Sequence, residues 1–179
     1  RERAIAPMTD FSHFVQQYQD MVYSTALRLT ADRGDAEDIA QETFLQAHRA
    51  FASLAGRPEA GGWLRTTARN LALNHVTRYR RRFVFVGSGS DSAALEPEPA
   101  DADASAWLYD QTQWLKRALL DLPRKFRVPL VLYYYEGMDY AGIAAALGVS
   151  LPKVKTDILR GRRRLRQMLE QLEGHHGAS

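Results

Sequence analysis

Seven cations, Lys153, Lys155, Arg160, Arg162, Arg163, Arg164 and Arg166, crowd one segment near the end of the chain. Their chemistry is anion recognition. Lys and Arg meet phosphate oxygens, and side chains on a helix that enters the major groove meet base edges. A second cluster comprises Arg65, Thr66, Arg69, Asn70, Asn74, Thr77 and Arg78, with Trp63 at its start and Tyr79 near its end. Here Arg neutralises phosphate, Asn hydrogen-bonds a base or sugar, and an aromatic ring stacks on an unpaired base. A third cluster is acidic. Asp35, Asp38, Glu42, Leu45 and Arg49 fall at offsets 0, 3, 7, 10 and 14, one stripe of a helix, with Glu37 and Gln41 beside it. Such a stripe is either a solvated face or a dock for a basic partner.

Catalytic chemistry has no comparable cluster. His13, His48 and His75 stand apart, His175 and His176 sit in a Gly-rich tail, and no nucleophile–base pair or metal-ligand spacing occurs. His75 reads as a tolerated helix residue at the edge of a core. The chain has no cysteine, which removes disulfides, thiolate zinc sites and cysteine nucleophiles. The expectation is a protein that is not an enzyme, with no cofactor, no metal and no small-molecule substrate.

The cationic segment needs a helix to present it. Ile143, Ala144 and Leu147 form an apolar stripe, and Gly148 supplies a left-handed turn. Ser150 is an N-cap, Pro152 fits a first turn, and Val154 and Ile158 restart the stripe. That is the layout of a helix-turn-helix. Two core helices about a Gly turn share the layout, but a core would not accept the cations. Before it, Leu115, Leu119 and Leu122 follow Trp107 and Leu108 on one helical face, Pro123 restarts a helix through Tyr135 with Pro129 as an irregularity, and Glu136-Gly137 ends it.

The other two clusters need helices of their own. Phe14, Tyr18, Met21, Val22, Thr25 and Leu29 pattern a first helix. After the turn Asp32-Arg-Gly-Asp, Asp35 is the expected cap of a second helix, whose inward stripe is Ala36, Ile39, Ala40, Thr43, Phe44, Ala47 and Phe51. Gly56 to Gly62 reads as a loop, and a third helix begins near Trp63, with Leu64, Thr67, Ala68, Leu71, Ala72 and His75 facing in. Phe83-Val-Phe-Val is either a helix extension or a short extended piece. The fold class is all-α: two small helical domains, residues 10–86 and 106–173, joined by a flexible acidic linker, residues 87–105, with the helix-turn-helix in the second domain.

Charge supports that division. Through Arg82 there are 12 basic and 9 acidic residues; residues 83–114 hold six acids and no Lys or Arg; residues 115–166 hold 12 basic and 4 acidic residues, a net of +8. A basic terminal segment is the electrostatic footprint of a phosphate-backbone binder. Residues 87–105, rich in Gly, Ser, Ala, Pro and acids, lack the apolar surface to offset chain entropy. No apolar run approaches the roughly 20 residues that span a bilayer, and the first residues lack a signal peptide's apolar core. Met8 is the candidate natural start, with residues 1–7 a short extension, and the expected location is the cytoplasm. On these residues alone three classes stand: a DNA-binding subunit with a protein dock, a helix-turn-helix regulator with a ligand-sensing or dimerising domain, and an enzyme with a helical accessory domain. The acidic stripe favours the first, since a sensor needs a concave apolar pocket.

Asp35-Ala-Glu-Asp-Ile-Ala-Gln-Glu-Thr-Phe-Leu-Gln-Ala-His-Arg-Ala-Phe resembles region 2.2 of bacterial sigma factors. Trp63-Leu-Arg-Thr-Thr-Ala-Arg-Asn-Leu-Ala-Leu-Asn-His resembles regions 2.3 and 2.4, and Leu122 through Arg166 resembles region 4. Spacer and length are similar to the extracytoplasmic-function (ECF) group. The resemblance implies that Asp35, Asp38, Gln41, Glu42 and Leu45 dock on the clamp helices of the β′ subunit of core RNA polymerase. It implies that Trp63, Arg65, Arg69, Asn70, Asn74, Arg78 and Tyr79, with the loop Ala55–Gly62, recognise the promoter −10 element and hold a flipped base. Pro152, Lys153, Lys155, Thr156, Arg160 and Arg163 would read the −35 element while the same domain sits on the β flap. An anti-sigma factor, membrane-bound or soluble, is a further partner the resemblance allows, and the protein would join the nucleoid when bound to polymerase. The chain departs from the family at Asp157, where a basic residue is common, at Gly161, where alanine is common, and in the loop Ala55–Gly62, which lacks the usual aromatic and acid. If Asp157 faces the groove, it is expected to select a cytosine amino group.

Overall fold

A computed structural model describes residues 11–83 and 111–176, with the side chains of 11–78 and 114–171. Every element among them is an α-helix: α1 Phe11–Thr30, α2 Arg33–Arg49, α3 Phe51–Leu54, α4 Ala60–Phe83, α5 Gln111–Asp121, α6 Arg124–Tyr134, α7 Tyr140–Leu147 and α8 Leu151–His176. They divide between two compact units, Arg1–Arg80 and Arg81–Ser179. The linker 87–105, residues 84–86 of the ambiguous Phe83–Val86 piece, and Trp107 and Leu108 lie outside the described residues.

In the first unit α1 buries Phe14, Val22, Thr25, Ala26, Leu29 and Thr30, largely the stripe its spacing predicts. The α1–α2 connection is tighter than a four-residue turn. Ala31 takes φ 54°, in the left-handed region, and its N–H donates to the Leu27 carbonyl at 2.8 Å. That conformation costs an L-residue about 1–2 kcal/mol. Asp32, in extended backbone, is then the N-cap: its side chain accepts from the Asp35 N–H at 2.9 Å. Asp35, expected as the cap, is displaced into the first turn, because only a residue with non-helical backbone can aim its oxygen at an N–H three residues on.

Helix α2 buries Ala36, Ile39, Thr43 and Ala47. Thr43 is harmless there because its hydroxyl donates to the Ile39 carbonyl at 2.7 Å. Ala40 and Phe44 of the expected inward stripe are only half-buried, packed on the core from its edge. The short α3 makes Phe51 part of an aromatic cluster, with ring centroids 5.2 Å from Phe11 and 5.4 Å from Phe14, both edge-on.

Helix α4 begins at Ala60, three residues before the expected start at Trp63, because its first residues are core. Ala60 and Leu64 are buried, and a Cβ on Gly61 would lie 3.1 Å from the Tyr18 ring. Part of what reads as a loop is here helix, with Gly61 set against the Tyr18 ring of α1. The inward residues farther along are Ala68, Ala72, Leu73 and Val76. Thr67, Leu71 and His75, expected inward, sit half-buried on the flanks. His75 instead reaches α2, with its Nε2 2.9 Å from the Asp35 Oδ2.

The second unit is organised by α8, which packs on α5, α6 and α7. Helix α5 ends where Arg127, although it belongs to α6, donates to the Leu120 and Leu122 carbonyls at 3.2 and 2.7 Å. This buried guanidinium thus satisfies orphan carbonyls of the α5 C-terminus. Burial, and secondarily the charge of Arg124, lowers its pKa to about 10, so it remains charged at neutral pH. Pro129 is accommodated inside α6, flanked by buried Val128, Leu130, Val131 and Leu132. The helix-turn-helix follows as expected. Asp139 caps α7 by accepting from the Gly142 N–H at 2.7 Å, Gly148 turns the chain at φ 62°, and Ser150 accepts from the Lys153 N–H at 3.4 Å. Val154 and Ile158 carry α8 into the core, and Gly161 lets it cross α6 closely. A Cβ there would lie 2.8 Å from the Leu130 Cδ1 and 3.1 Å from the Phe126 Cβ.

Two stability changes follow from this geometry. Ala31→Gly relieves the left-handed strain and is expected to raise unfolding free energy by about 0.5 kcal/mol after glycine's own entropy is charged against it, read as a higher urea midpoint. Gly161→Val drives a branched Cβ into Leu130 and Phe126 and is expected to cost about 2 kcal/mol, read as a lower midpoint.

Candidate nucleic-acid and protein interfaces

The acidic stripe of α2 is outward-facing but not uniform. Glu37, Asp38 and Gln41 are exposed, and Leu45 is 55% exposed, an unusual position for a leucine. Glu42 is half-buried, and its carboxylate accepts from the Gln46 side-chain amide at 3.0 Å. Asp35 is engaged by His75 of α4, which leaves Asp38, Gln41 and Leu45 as the accessible centre of the stripe.

Sequence spacing missed what lies beside that centre. Phe11, Val15 and Tyr23 of α1, with Ala40, Phe44 and Leu45 of α2, line an open apolar groove rimmed by Asp20, Glu37, Gln41 and His48. The signal was present but ambiguous: Ala40 and Phe44 fit an inward stripe equally well, and only the crossing of α1 over α2 decides that they form a wall. An apolar groove with an acidic rim fits an amphipathic helix with basic flanks.

On α4 the structure sorts the expected nucleic-acid residues into three groups. Thr66, Asn70, Asn74 and Arg78 are exposed, four residues apart, and so form one solvent-facing row. Arg65 and Arg69 are half-buried on its flank. Trp63 is half-buried and packs against the core of the first unit, because it lies one residue before Leu64, which is fully inside. The side chain of Tyr79 lies outside those described. A row of two Asn and one Arg can hydrogen-bond bases or sugars and neutralise phosphate, while the flanking guanidiniums lie at its edge.

On α8 the first turns are open. Pro152, Lys153 and Lys155 are exposed, Thr156 and Arg160 are half-exposed, and Arg163 is exposed farther along. The Thr156 hydroxyl donates its proton to the Pro152 carbonyl at 2.9 Å, so toward a ligand it is an acceptor. Asp157 departs from expectation. It does not face a groove: its side chain is 10% exposed, and both its oxygens accept from the Lys153 Nζ, at 2.9 and 3.1 Å. The cause is helical phase, since residue 157 falls between buried Val154, Ile158 and Gly161. Among the described residues no group of three or more His, Cys, Asp or Glu could hold a metal ion, and no helix is long and apolar enough to cross a membrane.

Comparison with known proteins fits this layout. Sigma-70 region 2 matches residues 14–82 and sigma-70 region 4 matches residues 112–165. The ECF RNA polymerase sigma factor SigE of Mycolicibacterium smegmatis is 36% identical, over 92% of this chain and 63% of its own length. The ECF sigma factor SigL of Mycobacterium tuberculosis is 34% identical, over 87% of this chain and 86% of its own length. The solved sigma factor RpoE of Bartonella quintana, in complex with the anti-sigma factor NepR, is similar at 25% identity and TM-score 0.49, over 90% of this chain and 97% of that one. The chain thus spans about three-fifths of the SigE relative and most of the SigL relative. With regions 2 and 4 in order on two helical units, the chain belongs to the ECF group of RNA polymerase sigma factors.

Proposed function

We propose that the chain divides promoter recognition between its two units, residues 10–86 docking on polymerase and reading the −10 element, residues 106–173 reading the −35 element, and residues 87–105 spanning them. Promoter-specific transcription initiation with core RNA polymerase is the activity of the family. One observation carries the finer reading: in the first unit, the surface suited to a protein and the row suited to nucleic acid lie on different helices. The groove and the α2 centre of Asp38, Gln41 and Leu45 suit a helix of the polymerase clamp, where apolar contact supplies affinity and the acidic rim supplies orientation. The α4 row of Asn70, Asn74 and Arg78, with Arg65 and Arg69 at its flank, suits an opened −10 strand. The first turns of α8 suit base edges, and Arg163 suits phosphate or the β flap.

In this reading the chain has no active site of its own. Polymerase performs the chemistry, and the sigma factor lowers the cost of finding and opening the promoter from the cytoplasmic side, on the nucleoid. A ligand-sensing regulator fits less well, because the apolar groove on the first unit is open and acid-rimmed rather than enclosed. Run-off transcription with purified core polymerase on a randomised promoter library tests the function directly. Enrichment of two short elements at a fixed spacing is expected, and absence of any selected element would refute it.

Variants separate docking from folding. Asp38→Lys combined with Leu45→Ala is expected to weaken core-polymerase binding at least about tenfold, since like charge against a basic partner costs several kcal/mol and the apolar contact of Leu45 is lost. Stability should be unchanged, because both side chains are exposed. Asp35→Ala and His75→Ala should each lower unfolding free energy by up to about 1 kcal/mol, with a coupling of about 0.5 kcal/mol between them, in the range of exposed ion pairs. His75→Ala should leave polymerase binding intact.

A further inference from the structure

The pair Lys153–Asp157 has features that helix stability does not explain. Lys precedes Asp by four residues, the less favourable order for an intrahelical pair. Asp157 lies beyond the first turn, where the helix dipole no longer rewards an acid. Its side chain is nevertheless almost wholly enclosed, and Lys153 is its one side-chain partner among the described residues. A buried carboxylate deprived of its cation is strongly unfavourable, so Lys153 is held in place rather than left to wander as a surface lysine does. Its stem and ammonium remain about half exposed, at 48%.

From this geometry we infer that Asp157 is a positioning residue for promoter readout: it holds the Lys153 ammonium in one orientation in the first turn of α8. The inference rests on the assignment of −35 reading to that helix. An ammonium has three N–H donors and no acceptor. The Nζ lies within hydrogen-bond distance of both oxygens of one carboxylate, so a donor is spent on Asp157 and the others point away from it. A lysine held in this way presents its donors to one small region of a base edge, the N7 or O6 of guanine or the O4 of thymine, and has little reach for a neighbouring phosphate. The paired charges also cancel. Lys153 therefore contributes less to counterion release than Lys155, which has no such partner four residues on, where Leu159 stands. Specificity gains what non-specific affinity loses.

The experiment uses the full chain bound to core polymerase, with a −35 library and binding measured at several salt concentrations. The variants are Asp157→Ala, Asp157→Asn and Lys155→Ala, each checked by thermal unfolding. Asp157→Ala is expected to flatten the preference at one base-pair position by about fivefold or more, the low end of one specific base contact. It should also tighten binding to scrambled sequence and steepen the salt dependence by about one unit, because a cation is released to the backbone. Asp157→Asn keeps an acceptor oxygen but not the charge. It should steepen the salt dependence likewise while retaining part of the positional preference, which a merely structural role would not separate. Lys155→Ala reports on the underlying assignment and should change −35 affinity or preference whatever Asp157 does. If Lys155→Ala alters −35 binding while both Asp157 variants leave the salt slope and the positional preference unchanged, the positioning role is overturned. If the Asp157 variants lose binding to all sequences equally in step with lost stability, Asp157 is structural and the inference is likewise overturned. If no variant, Lys155→Ala included, affects −35 binding, the assignment of readout to α8 fails and the inference fails with it.

Discussion

Close approach of helices at small residues is the constraint on which each unit depends. Ala26, Ala36, Ala47, Ala60, Ala68 and Ala72 are all buried in the first unit, and Ala118 and Gly161 in the second. Units of this size have little interior, so large side chains cannot fill it from every helix. Small residues bring the backbones together, and a few large ones, Leu29 and Leu64 in one unit, Leu122, Leu132 and Ile143 in the other, close the remaining space. Each of these buried large side chains contributes about 1.5–3 kcal/mol. The outward faces are then released from packing duty, and charged or amide side chains occupy them.

That same constraint sets what could be read from the sequence. Stripes of large residues were legible: Phe14, Val22 and Leu29 on α1, Ile39 on α2, Leu119 on α5 with Leu122 just beyond it, Val154 and Ile158 on α8. The turn at Gly148 with its cap Ser150 was legible because only glycine is easy at φ 62°. Glycines at helix contacts were not, since spacing alone gives glycine no sign of which neighbour it approaches. Gly61 looked like a loop and is a contact with Tyr18; Gly161 looked like a departure from family habit and is the crossing with Leu130. The burial of Trp63 and Asp157 was not legible for a related reason. Each sits at the border of a stripe, and a shift of phase by a fraction of a turn decides between solvent and core.

Charge counting needs the same correction. The basic surplus of residues 115–166 overstates the surface field, because cations such as Arg127 and Lys153 are engaged by groups of the protein itself. Arg127 closes the C-terminal end of α5, where burial costs its charge some of its proton affinity and two carbonyls hold it. Lys153 is matched by Asp157. A guanidinium suits the first task, since the two N–H groups of its Nη1 reach two carbonyls at once. An ammonium suits the second, since it can lie against both oxygens of one carboxylate and still direct donors outward.

The first unit shows a parallel division of labour on α2. At its start Asp35 is committed to His75 of α4, so this end of the stripe belongs to the packing of the domain. Farther along, Asp38 and Gln41 are exposed beside Leu45 and the groove of Phe11, Val15 and Phe44. Exposed acids alone give a partner speed and orientation but little affinity, because water screens them. An apolar groove alone gives affinity without direction. Adjacent to one another, they favour a partner that is apolar at its centre and basic at its rim. The His75 contact ties the start of this surface to α4, the helix that carries the row of Asn70, Asn74 and Arg78. The stripe is thus two features in succession, an engaged end and then an exposed one, which a reading of charge spacing alone merges into one.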